Sequence, residues 1–148
     1  MVAEYSVWQQ GMEVNYAALC EEKKDGLHIL RLMGQTSVVY IPQMIDGYEV
    51  KVIGEYCFSA RNNCKNRTSD NDWEKMEKLA RDRGMNELSG DYVEQVILPD
   101  SVHELCSYAF YNCRKLKCIE FGRSLDIVNN LSLIHISEPT GRRGISYA

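Results

Sequence analysis

Val93-Glu94-Gln95-Val96-Ile97-Leu98-Pro99-Asp100-Ser101-Val102-His103-Glu104-Leu105 is the stretch whose reading decides the fold, because the chain begins to write it again 23 positions later. Leu116 then stands for Val93, Ile119 for Val96, Phe121 for Leu98, Ser124 for Ser101, Leu125 for Val102 and Val128 for Leu105. Each apolar residue of these six pairs recurs as an apolar residue. A unit of about 20–29 residues that opens apolar-x-x-apolar-x-apolar cannot bury its own apolar face and is stable only when copies stack into a solenoid. Within the unit, Val96 and Leu98 alternate as the inward residues of a short strand. Pro99 ends that strand, since it lacks an N–H and holds Leu98 extended. Val102, Leu105, Ala109 and Phe110 follow at spacings of three, four and one, which predicts a turn-rich or short helical return leg.

Residues 36–60 carry an earlier copy. Val39-x-Ile41-Pro42 followed by Ile53-Gly-Glu-Tyr-Cys-Phe58 matches Val96-x-Leu98-Pro99 followed by Leu105-Cys-Ser-Tyr-Ala-Phe110. The offset is 57 positions before the connecting loop and 52 after it, so the first unit holds five extra residues around Ile45-Asp-Gly-Tyr48, a ready turn. Val39, Ile41, Ile53, Phe58, Val96, Leu98, Leu105 and Phe110 are the expected core, with Phe58 and Phe110 stacked. Residues 1–35 read as an N-terminal cap. Tyr16-Ala-Ala-Leu19 and Leu27-His-Ile-Leu-Arg-Leu32 flank a polar, Gly-ended turn, predicting a hairpin that covers the exposed edge of the first coil. Residues 61–91 break the period as an insertion. Inside it a helix over about 70–83, with an Asp/Asn N-cap and a stop at Gly84, puts Trp73, Met76 and Leu79 or Ala80 on one face, expected against the flank of the stack. Residues 92–130 hold the second unit and a partial third.

Composition narrows the function. The 148 residues are 45% hydrophobic and 26% charged, enough for one domain with a modest core. A net charge of −4 without a basic stripe excludes a phosphate-backbone partner, and no run reaches the ~20 apolar residues of a membrane span. The N-terminus lacks the basic start and apolar stretch of a signal peptide, so the chain as it stands reads as cytoplasmic or as an internal piece of something larger. Six cysteines, at 20, 57, 64, 106, 113 and 118, form no Cys-x-x-Cys pair, which favours reduced thiols. Cys57 fills the slot of Ala109 and Cys106 that of Gly54, both as small buried residues. No cofactor is implied. His103 and Cys106, three apart, are the one candidate for a thiol enzyme, or for half a metal site with Cys113 and Cys118. A catalytic pair also needs an orienting group and an oxyanion pocket, and zinc sites tend to use tighter, paired spacings, so no catalytic or metal residue is assigned. Asn66-Arg-Thr68 fits a glycosylation acceptor.

Ile41-Pro42, Ile45-Asp-Gly47, Val52-Ile-Gly-Glu-Tyr-Cys-Phe58, Leu98-Pro-Asp-Ser-Val102 and Tyr108-Ala-Phe-Tyr-Asn-Cys113 together resemble the BspA-like leucine-rich repeats of host-associated bacteria and some protozoa. The resemblance covers roughly residues 14–60 and 92–129, and departs from the family at Cys106, where Gly is usual, and at the 61–91 insertion. It implies a mainly β leucine-rich-repeat solenoid of short stacked strands, with a hairpin-like cap and one inserted helix. Its implied function is a non-catalytic protein-interaction or adhesion module that binds a protein or cell-surface ligand, in full-length members at the cell surface or secreted. The residue between the two inward strand positions of each unit points outward, giving Tyr40, Ile97 and Glu120 as the candidate binding column. A cytosolic scaffold docking through the inserted helix is the alternative.

Residues 131–148 depart from the rest. Leu-Ser-Leu-Ile-His-Ile-Ser-Glu-Pro-Thr and, after four residues, Ile-Ser-Tyr-Ala resemble the in-frame translation of a transposase-based sequencing adapter, with Gly141 the one departure. The expectation is a non-native tail after Asn130, on a chain cut within its third repeat.

Overall fold

The computed structural model describes residues 1–60, 68–129, 136–140 and 144–147. In order, the chain forms β1 (Val2–Gln9), β2 (Met12–Lys23), β3 (Gly26–Gly34), β4 (Val38–Tyr40), β5 (Met44–Ile45), β6 (Tyr48–Ile53), α1 (Asp70–Arg83), β7 (Asn86–Glu87), β8 (Gln95–Ile97), β9 (Glu104–Leu105), β10 (Cys118–Glu120), β11 (Ile127–Val128), β12 (Ile136–Thr140) and β13 (Gly144–Tyr147). The architecture is mainly β.

Two parallel ladders organise it. β4, β8 and β10, the strands of the apolar-x-apolar motif, pair in parallel with Val39, Val96 and Ile119 in register and fully buried. The return legs make the second ladder: β6, β9 and β11 align Ile53, Leu105 and Val128 in parallel. The return is turn-rich, one of the two forms predicted from spacing, and not helical; it opens on a short strand that the spacing did not predict. Leu105 is matched by Ile53 on the neighbouring rung, and that pairing supplies the cross-rung hydrogen bonds a two-residue strand cannot find alone. The N–H groups of Gly54, Cys106 and Asn129 carry the bonding on, each to the carbonyl of the rung before (Ile29, Ile53 and Leu105).

Between the ladders lie the core residues, with Val39, Ile41, Ile53, Phe58, Val96, Leu98, Leu105 and Phe110 all buried. Phe58 and Phe110 stack at 5.0 Å between ring centroids and 8° between planes. Cys57 and Ala109 are both fully buried in their shared slot, whereas Cys106 is half-exposed rather than buried.

The N-terminal segment is more than one hairpin. β2 pairs antiparallel with β3 about the predicted turn, and β1 adds antiparallel to β2 through a tight turn at Gln10 and Gly11, both at positive φ. β3 also runs parallel to β6, so the cap is a rung of the second ladder. The run from Tyr16 to Cys20 is buried on both faces: Tyr16, Ala18 and Cys20 enter the main core, while Ala17 and Leu19 meet a second cluster with Met33, Trp73, Met76 and Met85. That second cluster is where α1 docks, so the helix lies on the cap strands and not on the flank of the stacked units. Its N-cap is Ser69, whose side chain accepts from the Asp72 N–H, and not the predicted Asp/Asn; Asp70 is already helical. Gly84 at φ 65 ends it as predicted.

Arg31, 1% exposed, ties the turn after β6 to β7. Its Nε meets Glu87 at 3.1 Å, and its Nη1 donates to the carbonyls of Tyr56, Cys57 and Ser59.

Candidate interaction surface

Because Val39, Val96 and Ile119 face the core, their neighbours on either side face away from it. The register sets Tyr40, Ile97 and Glu120 side by side, the column expected from sequence. Tyr40 and Ile97 are half-buried and Glu120 is exposed. Sequence reading missed the parallel row of Val38, Gln95 and Cys118, which the same two-residue alternation places on this face. Gln95 Nε2 donates to Glu120 Oε1 at 3.4 Å, linking the two rows. The face is thus aromatic and aliphatic on β4 and β8 and acidic at β10.

The outer edge of β4 would leave backbone groups unpaired, and three side chains of the cap cover it. Gln9 Nε2 donates to the Val38 carbonyl at 2.8 Å and the Tyr5 hydroxyl to the Tyr40 carbonyl at 2.9 Å. The Tyr40 N–H donates to the Tyr16 hydroxyl, which in turn donates to Gln9 Oε1. Burial raises the Tyr5 and Tyr16 phenols, so both stay protonated for this work. At the other side of the ladder β13 pairs antiparallel with β10.

Of the thiol-enzyme candidates, Cys106 is half-exposed and His103 faces carboxylates. His103 presents its ring nitrogens to Asp25 at 3.3 Å and Asp126 at 3.9 Å. Burial pushes the thiols of Cys113 and Cys20 up to about 12, and Cys113 Sγ donates to the Phe58 carbonyl at 3.2 Å, so both thiols are protonated and poor nucleophiles or ligands. Cys118 is raised by burial and then by Glu120. Among the described residues no three His, Cys, Asp or Glu side chains are grouped to hold a metal ion. Likewise, no helix there is long and apolar enough to cross a membrane. The apolar face of α1 is spent inward, with Trp73 and Met76 buried; a cleft of about 480 Å³ beside it is lined by Met33, Trp73, Ala80 and Met85 together with Glu77 and Arg81. Cys64, and Asn66 and Arg67 of the glycosylation acceptor, lie outside the described residues.

Residues 84–138 match the model of a family described as BspA type leucine rich repeat region (6 copies). The match takes in the second unit and not the first, and continues past Asn130. No curated protein and no solved structure matches the chain. What the comparisons support is a BspA-like leucine-rich repeat over that stretch, a family of protein-interaction or adhesion repeats that is generally non-catalytic.

Proposed function

We propose that this chain is a non-catalytic leucine-rich-repeat solenoid module that binds a protein or cell-surface ligand through the outward face of β4, β8 and β10. The observation that carries the reading is the register that brings Tyr40, Ile97 and Glu120 into one column on a sheet whose inward residues are fully buried. Stacked repeats use such extended faces for partners, and the family match over residues 84–138 supports an interaction role. The test is a printed array of surface and extracellular proteins probed with the wild type and with Tyr40→Ala/Ile97→Ala. The double variant is expected to keep its far-UV CD spectrum and lose its array partners at least tenfold. Unchanged binding by a folded double variant rejects the column.

Residues 131–148 stand outside this native module in our reading. The antiparallel seat of β13 on β10, against the parallel pairing of β4, β8 and β10, supports it, since an open strand edge accepts many extended segments. A chain ended at Asn130 is expected to keep the strands from β1 to β11 and the Phe58–Phe110 core. Loss of cooperative unfolding in that variant, or recovery of Leu-Ser-Leu-Ile-His-Ile from independently prepared DNA of the locus, assigns the segment to the protein.

A further inference from the structure

The turn between β2 and β3 carries Asp25, and both of its carboxylate oxygens meet imidazoles. Oδ1 faces Nε2 of His28 at 3.0 Å, and Oδ2 faces Nε2 of His103 at 3.3 Å. His103 stands just ahead of β9, so this second contact joins positions 78 apart in the chain. The remaining nitrogen of His103, Nδ1, faces Oδ1 of Asp126, ahead of β11, at 3.9 Å. Carboxylates only accept. A neutral imidazole has one N–H and one lone pair, so it serves one of the two carboxylates and turns its lone pair toward the other. The imidazolium donates to Asp25 and, through its charge, also attracts Asp126, whose oxygen at 3.9 Å stands within ion-pair reach of Nδ1.

The surrounding charges are engaged elsewhere. Lys51 of β6 runs beneath Gly26, where an added Cβ would meet its Cγ at 2.6 Å, and pairs its Nζ with Glu49. Lys23 pairs with Glu21, and Glu104 accepts from Asn129. Asp25 and Asp126 are therefore the carboxylates that answer His103.

We propose that His103 is a proton-operated latch that ties the β2–β3 turn to the segments entering β9 and β11. Protonated, it binds Asp25 and Asp126 together across the rungs; neutral, it holds one and releases the other. Imidazoles change charge between about pH 5 and 8. The side chains of Asp25 and Asp126 are 46% and 73% exposed, so the effect is that of a surface ion pair, roughly two- to fivefold in a local opening equilibrium.

Amide hydrogen exchange on the full chain tests this. The Asp126 and Ile127 N–H groups donate to the His103 carbonyl at 3.1 and 3.0 Å and report the latch, while the Phe58 N–H, bonded to the Ala109 carbonyl, is the reference. After correction for intrinsic rates, protection of Asp126 and Ile127 relative to Phe58 should be about two- to fivefold greater at pH 5.5 than at pH 7.5. It should be equal at the two pH values in His103→Gln and in Asp126→Asn, both changes at side chains outside the core. A wild-type ratio that does not move with pH overturns the latch, as does a pH dependence retained in either variant.

Discussion

Tyr56 and Tyr108 occupy the same place in successive units, and both sit at positive φ, 59° and 61°. A non-glycine residue in that region costs on the order of 1–3 kcal/mol, and glycine would avoid the cost. Tyrosine offsets it because the two rings stack at 5.1 Å and 3°, running beside the Phe58–Phe110 stack two residues on. Each turn is thus held by two aromatic contacts, one half-exposed and one fully buried. Phe110→Ala is expected to cost about 3–5 kcal/mol, the transfer loss plus the cavity left under Phe58, read as a shift in the urea midpoint with m unchanged. A loss below about 1 kcal/mol would mean that the units do not bear on one another there.

At the scale of elements, the free edge of β4 is the weak point, and its cover is built from side chains. Tyr16 is the centre, accepting from the Tyr40 N–H and donating to Gln9, while its ring stacks on Tyr5 at 4.6 Å. Tyr16→Phe keeps the ring stack and removes the hydroxyl's hydrogen bonds to Gln9, the Tyr40 N–H and the Val38 carbonyl. It is expected to cost about 1–3 kcal/mol, because it leaves a strand N–H and an amide oxygen without a partner. The Tyr40 amide should lose exchange protection before those of β8, and equal loss along both strands would count against an edge-specific cover. The middle of β2, Tyr16 to Cys20, is the complementary case, buried on both faces because α1 returns to cover the side that the stacked units leave open.

For the whole molecule, the buried thiols, together with the buried phenols of Tyr5 and Tyr16, set an alkaline limit. Cys20 and Cys113 are raised from 9.0 to about 12 by burial. A group whose folded pKa exceeds its unfolded one contributes stability that is fully present below the unfolded value and lost as pH rises toward the folded one. The urea midpoint should therefore fall between about pH 9 and 12, each thiol removing up to about 1.4 kcal/mol per pH unit. Cys113→Ala should flatten that fall, and equal slopes in variant and wild type would refute the assignment. The amino-acid sequence by itself determined the first ladder, the core and the Phe58–Phe110 stack. Alternating apolar residues closed by proline admit one strand register, and a repeated motif must stack like on like. It also determined the helix, whose 3.6-residue apolar spacing and terminal glycine are local signals, and the alignment of Tyr40, Ile97 and Glu120. Only the tertiary structure decided the second ladder, since Glu104-Leu105 is too short to carry a period and becomes a strand because rungs lie on both sides of it. The cover over β4, the clamp by Arg31 and the meeting of His103 with Asp25 belong to the same class. Each joins residues distant in the chain through geometry that no local pattern encodes.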